Sequence, residues 1–270
     1  MRVVVITRPD LEETHRLLRK AAGRRGLQYT ELVAGAAGGS DLSAVCPRLI
    51  YCAATDAPSV LLEKLVARPG DALLHDPFFG CDHQPITLQR AGLPLPRTVF
   101  LPSMDLETLA AQVEWLGGWP VVVKLPGHEG GAGVSRAKDM GELTEVLEAC
   151  GFDALMQSFV PHVRSWRLTV LGDRVLASSA SEAAEGDFRT NAEGSTDLGP
   201  GTPPEGAEEI AIKAARALKL DFGGADILEG PDGSLSIAEF NFPCYFAEQQ
   251  AATGVDIAGH MLEHLAGKID

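Results

Sequence analysis

Near its C-terminal end the chain places Pro231-Asp232-Gly233-Ser234 between two β-like runs, residues 222–228 and 234–240. Asp-Gly supplies the positive φ angles of a two-residue type I′ turn, so the segment reads as an antiparallel hairpin. If Pro231 pairs with Ser234, Asp226 falls directly opposite Glu239, and Asn241 points to the same face two residues on. Two carboxylates facing each other across a ladder destabilise it unless positive charge sits between them. A cation resolves the conflict, and magnesium favours hard oxygen ligands shared with substrate phosphates. On these residues alone two readings stay open: a metal site, or Asp226 facing solvent or paired with a basic residue while Asn241 caps a turn. A three-residue loop would reverse the face, so the reading depends on turn length.

The rest of the chain has to build a support for that hairpin. Short apolar runs at residues 3–6, 49–53 and 72–74 read as buried strands, with a helical stretch over 11–25 between the first two. The opening is therefore β/α, yet residues 7–10 are Thr-Arg-Pro-Asp, without the glycine fingerprint of a dinucleotide-binding turn. The breaker-rich segment 92–97 marks a boundary, followed by a β-like run at 98–101. Leu106, Leu109, Ala110, Val113 and Leu116 recur at helical spacing, and so do Met140, Leu143, Val146 and Leu147. Three β-rich stretches at 154–160, 166–171 and 174–180 lead to a polar loop over 182–206. A helix around Ile210–Leu218, the hairpin and a closing helix at Met261, Leu262 and Leu265 complete the chain. The expected division is 1–91, a β/α domain; 92–158, a central unit with a glycine-rich loop; and 159–270, a C-terminal unit with the carboxylates.

Composition limits the ligands. Twenty-three Lys and Arg against thirty-seven Asp and Glu give a formal charge of −14, a field that repels nucleic acid and anionic membranes. The five cysteines are scattered without a Cys-x-x-Cys pair, which suits a reducing cytoplasm. The apolar start at 3–6 is too short for a signal h-region or a membrane span.

Between the two early helices, residues 120–134 run from an apolar strand through Lys124 into a loop with four glycines, among them Gly131 and Gly133. Glycine lets backbone N–H groups approach phosphate closely, and Lys124 can set a point charge beside them. The loop is not a Walker A sequence. Gln157-Ser-Phe159-Val160 forms an extended connector whose backbone could read an adenine edge or simply link two units. Arg167 and Arg189 offer planar forks for phosphate or carboxylate, although a surface ion pair is the commoner fate of an arginine.

In this order the pieces resemble the ATP-grasp superfamily and, within it, the RimK-type amino-acid ligases. Glutathione synthetase and LysX-type enzymes are more distant relatives. The resemblance spans about residues 92–265 and is densest from Gly186-Asp-Phe-Arg-Thr-Asn191 through Glu239-Phe-Asn241 to Thr253-Gly-Val-Asp-Ile257. It implies an α/β (α+β) ATP-grasp fold, an N-terminal β/α domain followed by two α+β subdomains enclosing a nucleotide. It also implies Lys124 on the ATP phosphates, Gly131 and Gly133 in the covering loop, and adenine against Gln157, Phe159 and Val160. Asp226, Glu239 and Asn241 match the magnesium ligands, two ions being expected with manganese as a substitute. Arg167 and Arg189 match catalytic arginines facing the transferred phosphate and the acyl group.

The implied activity is ATP-dependent ligation of a carboxylate to an amine through an acylphosphate, releasing ADP and phosphate. Its substrates would be an amino acid, a peptide or a specialised metabolite, with no nucleic acid or membrane partner, and homo-oligomers are compatible. Several positions depart from the pattern: Asp82-His83 stands where relatives carry Asp-Lys, Ser158 follows the connector glutamine, and Ser165 replaces an aspartate. Ser181, Glu182 and residues 192–195 replace basic residues around the polar loop, an exchange that disfavours an acidic amino acid as substrate. Asn241-Phe-Pro-Cys-Tyr brings Phe242 and Tyr245 to the site in place of Asn-x-Pro-Gly. These departures leave one alternative open, a degenerate ATP-grasp protein that binds nucleotide as a scaffold or regulatory subunit.

Overall fold

A computed structural model describes residues 1–8, 11–33, 48–54, 56–68, 70–75, 84–100, 102–125, 131–192 and 194–269. Strand β1 (Arg2–Thr7) divides its side chains between two cores. Val3 and Val5 pack with Leu18 and Ala21, and Val4 and Ile6 with Ile50, Leu62 and Val66. Burial on both faces explains the unbroken apolar run. Helix α1 (Glu12–Arg24) leads into β2 (Gln28–Val33), which pairs in parallel with β1. The βαβ unit thus closes on β2, and not on residues 49–53 as the apolar pattern suggests. Residues 28–33 form a partly exposed edge strand and carry no apolar run. Strand β3 (Leu49–Cys52) takes the other side of β1. Helix α2 (Ala57–Val66), capped by Asp56, then leads to β4 (Ala72–Leu73), giving the order β2-β1-β3-β4.

Helix α3 (Gln84–Arg90) precedes a second sheet. Its elements are β5 (Thr98–Val99), α4 (Leu106–Leu116), β6 (Val121–Lys124), β7 (Val134–Ala137), α5 (Met140–Ala149) and β8 (Leu155–Ser158), in strand order β5-β8-β6-β7. Asp105 and Asp139 cap the two helices by accepting the N–H of Thr108 and Glu142. Their apolar stripes bury Leu109, Val113, Leu143 and Leu147 against Val121, Val123 and Met156. Leu101, expected at the end of β5, lies outside the described residues, as do residues 126–130 of the glycine loop and Asp82-His83.

The third sheet holds β9 (Arg164–Leu171), β10 (Arg174–Glu182), β11 (Thr196–Pro200), β12 (Phe222–Glu229) and β13 (Leu235–Asn241) in the order β11-β10-β9-β12-β13. Strand β11 corrects the expectation of a polar loop over 182–206. It is a largely exposed edge paired with β10, so it shows no hydrophobic alternation. Helix α6 (Ala207–Ala217) covers one face, packing Ala211, Ala214 and Ala215 on Trp166, Leu168, Ile227, Ile237 and Phe240. Helix α7 (Ala247–Thr253) lies at the opposite face, beside β10 and β11.

Helix α8 (Ile257–Gly267) returns to the first sheet, burying Ile257, Met261, Leu262 and Leu265 with Val3, Val5 and Leu49. Each such side chain contributes roughly 1.5–3 kcal/mol relative to exposure, so α8 fastens the first sheet to the third. Among the described residues no helix is long and apolar enough to cross a membrane.

The hairpin reaches its expected register by an unexpected route. The Gly230 N–H bonds Ser234 O at 2.8 Å and the Gly233 N–H bonds Gly230 O at 3.0 Å, leaving a three-residue loop, 231–233, with Gly233 at φ +79°. Such a loop alone would set Ala238 opposite Asp226. A bulge intervenes: Ile227 pairs with Ile237 but Asp226 pairs with Glu239, so Ala238 is the extra residue and Glu239 returns to the face of Asp226.

Candidate active site

Strand pairing sets a row across the exposed face of the third sheet: Ser179 on β10, Arg167 on β9, Asp226 on β12 and Glu239 on β13. One step along lie Thr169, Gly224 and Asn241. Gly224 is required there, because a Cβ would fall 3.0 Å from Arg167 Cδ and 3.2 Å from Cys244 Cβ. Its absence lets the arginine side chain lie across the strand.

Arg167 forks Asp226: Nε donates to Oδ1, and Nη2 donates to Oδ2 at 2.8 Å. Asn241 Nδ2 donates to Asp226 Oδ2 at 3.1 Å and to Glu239 Oε1 at 2.9 Å, so one amide gathers both carboxylates. Burial pushes the Asp226 carboxyl up to about 7 against the pull of Arg167, and Glu239 adds to the rise. Burial also acts to raise Glu239, yet hydrogen bonding with Asp226 and Asn241 and the charges of Lys124 and Arg167 hold it below its ordinary value. Asp226 thus has the basic partner of the second reading and also faces Glu239, while Asn241 ends β13 and bonds both carboxylates, where that reading has it cap a turn.

Among the described residues no group of three or more His, Cys, Asp or Glu forms a metal site, so a cation here would rest on two carboxylates and an amide. That donor set fits magnesium. All three side chains offer hard oxygens, the Asn241 oxygen being available if its amide turns, and phosphate oxygens would complete the shell.

Lys124, at the end of β6, reaches the bulge: its Nζ lies 3.4 Å from Ala238 O. Burial lowers its pKa, while Glu239 and Asp226 act to keep it charged. Cys244, behind Arg167, is buried. That burial pushes its thiol up to about 12, which removes it as a nucleophile.

A cleft of about 420 Å³ runs from Gln157, Phe159 and Val160 past Lys124 to Asp226 and Glu239. Gln157 is buried, and its side chain donates to Thr98 Oγ1 at 2.9 Å. Ser158 Oγ accepts the Arg97 N–H at 3.0 Å, so it braces the connector. Three further residues close this end. Phe188 meets Phe159 edge-on at 6.0 Å, and Arg136 lies over both rings at 5.2 and 5.5 Å. His162 sets Nδ1 2.7 Å from Val160 O and Nε2 2.9 Å from Phe188 O, bridging connector and polar segment. Of these, only Phe188, beside Arg189 in Gly186-Asp-Phe-Arg, could have been found from its neighbourhood.

Arg189 lines the same cleft, but its fork closes on Asp187, and Nη1 donates to Gly131 O at 3.2 Å. Gly131, at φ +75°, leaves room for Asn191, whose Oδ1 lies 2.9 Å from where a Cβ would be. The glycine loop and the polar segment therefore touch directly. Gly133 lines a second cleft of about 510 Å³, which opens between the ends of β1 and β3 and the hairpin. Arg8, Tyr51, Ala53, Ala54 and Phe242 also line it. The two clefts share Lys124, Arg167, Asn191, Glu239 and Tyr245.

Comparison with solved structures places this architecture. The ATP-grasp ligase PsnB, solved with Mg, ADP and a variant of its minimal precursor, superposes with a TM-score of 0.76 over 99% of this chain and 98% of its own, at 18% identity. The D-cycloserine synthetase DcsG gives 0.75 over the full length of both at 17% identity. The fold is that of the ATP-grasp proteins. A family model for the RimK-like ATP-grasp domain matches residues 85–265, and the chain belongs to that family. A probable alpha-L-glutamate ligase of Citrobacter koseri is 37% identical over 183 residues, 65% of this chain. The ribosomal protein bS6–L-glutamate ligase of Shigella boydii is 37% identical over 182. The matched region spans 59% of the length of each of these relatives.

Proposed function

We propose that the chain is an ATP-dependent carboxylate–amine ligase. The observation that carries this reading is the meeting of two clefts at Lys124, Arg167 and Glu239, with Asp226 lining the first cleft and Asn241 the second. A nucleotide in the first cleft, with its base at Gln157–Val160, would direct its terminal phosphate at this junction, where a carboxylate from the second cleft would meet it.

The γ-phosphoryl group passes from ATP to a carboxylate oxygen, breaking the β–γ bridging P–O bond so that ADP leaves, and forming the mixed anhydride. An amine nitrogen then bonds to the acyl carbon, the C–O bond to phosphate breaks, and the amine proton is lost. ADP, phosphate and an amide remain. Lys124 and Arg167 counter negative charge at the phosphoryl group, and positioning supplies most of the catalysis in such transfers. Bound magnesium would neutralise phosphate charge at Asp226, Glu239 and Asn241. The contact of Gly131 with Arg189 and Asn191 supports a covering role for the two segments, excluding water from the acylphosphate.

Relatives named as glutamate ligases and a neighbour solved with Mg and ADP support an amino-acid or peptide substrate and the use of MgATP. Ser181, Glu182 and Ser195 around the polar segment argue against an acidic amine substrate. The test is incubation of the purified protein with ATP, magnesium and a panel of amino acids and peptides, following ADP and products lighter by one water. Tight MgATP binding with no ADP release on any pairing would show a non-catalytic nucleotide binder instead.

A further inference from the structure

Gln249, on α7, is buried at the edge of the first cleft and plays no part in the chemistry above. Its amide is fully engaged. Oε1 accepts the Thr169 hydroxyl, and Nε2 donates at 3.0 Å both to the backbone carbonyl of Arg167 and to Ser179 Oγ. The Arg167 carbonyl can only accept, so it fixes which end of the amide carries the nitrogen. One side chain thus ties α7 to β10 and β9, two of the four strands of the row that ends in Glu239, holding β9 at the residue whose guanidinium forks Asp226.

We propose that Gln249 is a positioning residue for Arg167. It acts through the Arg167 main chain, so that the guanidinium keeps its two-point grip on Asp226 while facing the junction of the clefts. The proposal rests on the ligase reading for what Arg167 then does, but the placement of Arg167 can be tested apart from it. Loss of the Gln249 hydrogen bonds unties β9 and β10 from α7 and leaves the strands free to shift or admit water, and a displacement of about 1 Å near reacting groups reduces turnover roughly 100-fold.

The test is Gln249→Met, which keeps the side-chain length and removes every hydrogen bond. Gln249→Glu serves as a second variant of unchanged shape, losing the amide donor to the Arg167 carbonyl. Three quantities are measured: the Nε–H NMR signal of Arg167, assigned with Arg167→Lys; MgADP affinity; and magnesium-dependent ADP formation from ATP with the substrates found above. The expected result is a moved or broadened Arg167 signal, MgADP affinity within about twofold, and a fall in kcat of tenfold or more with KM for ATP nearly unchanged. An unchanged Arg167 signal in both folded variants overturns the proposal, as does a loss of turnover that only follows a loss of MgADP affinity. If the wild-type protein forms no ADP, the ligase reading fails, and the NMR signal still decides whether Gln249 places Arg167.

Discussion

Arg167 and Arg189 line one cleft with the same side-chain exposure, 32%, and each forks an aspartate, yet they are held in opposite ways. The partner of Arg167 is Asp226, far along the chain and brought opposite by the pairing of β9 with β12. The partner of Arg189 is Asp187, two residues away in a connecting segment. The first pair cannot part without disturbing the central strands. The second lies within one connecting segment and touches the glycine loop through Gly131. Equal exposure therefore conceals one arginine anchored between two strands and another held inside its own segment; under the proposed function the first would meet each substrate in place and the second would belong to the cover.

The largest expected effect lies at the fixed end. Glu239→Gln should reduce magnesium-dependent ATP turnover by roughly 100- to 1,000-fold with little change in thermal midpoint. Unaltered turnover would sever the carboxylate row from catalysis. Next come the paired substitutions Arg167→Lys and Arg189→Lys, which keep the charge but lose the fork. The first should lower kcat about 100-fold, as misplacement at a reacting centre does. The second should lower it about tenfold, the worth of one charged hydrogen bond of about 1.5 kcal/mol. Equal losses would erase the contrast.

Gly131→Ala places a side chain at φ +75° against Asn191, a strain of about 1–2 kcal/mol. It should raise KM for ATP several-fold with kcat less affected. An effect on kcat alone would place the loop in the chemical step.

The smallest effect concerns pH. Hydrogen bonds from the Arg189 side chain, then from backbone N–H groups, hold the Asp187 carboxyl well below the usual carboxylate range. A carboxylate with a depressed folded pKa stabilises fully above the unfolded value of about 3.9, and that stabilisation is lost only as pH falls through the folded value. The Asp187–Arg189 pair should therefore be constant from pH 5 to 9. A step in the rate profile within that interval that Asp187→Asn removes would break the comparison.

Legibility from sequence followed burial. Val3–Ile6, Leu49–Cys52 and the stripes of α4 and α5 face packed cores and announce themselves by apolar spacing. Strands β2 and β11 lie at exposed edges, so backbone pairing alone defines them. The site was legible where it depends on register, as with Asp226 opposite Glu239, although the turn taken to produce that register was wrong. One sign of the bulge stands in the sequence: Ile237 and Phe240 both enter the core, three residues apart, which strict alternation forbids. Arg136, His162 and Gln249 were not legible, because their roles depend on contacts between segments far apart in the chain.

The hairpin carries two irregularities that cancel, an odd-numbered turn and one surplus residue at Ala238. Gain or loss of one residue in the turn would rotate Leu235 and Ile237 out of the packed layer, and loss of register at Ala238 would swing Glu239 into it. Length changes in this stretch are therefore tolerable only in twos or in matched pairs. Homologous chains are expected to vary freely in the letters of residues 231–232, with glycine kept at 233 for its left-handed φ, while the spacing from Asp226 to Glu239 keeps its parity.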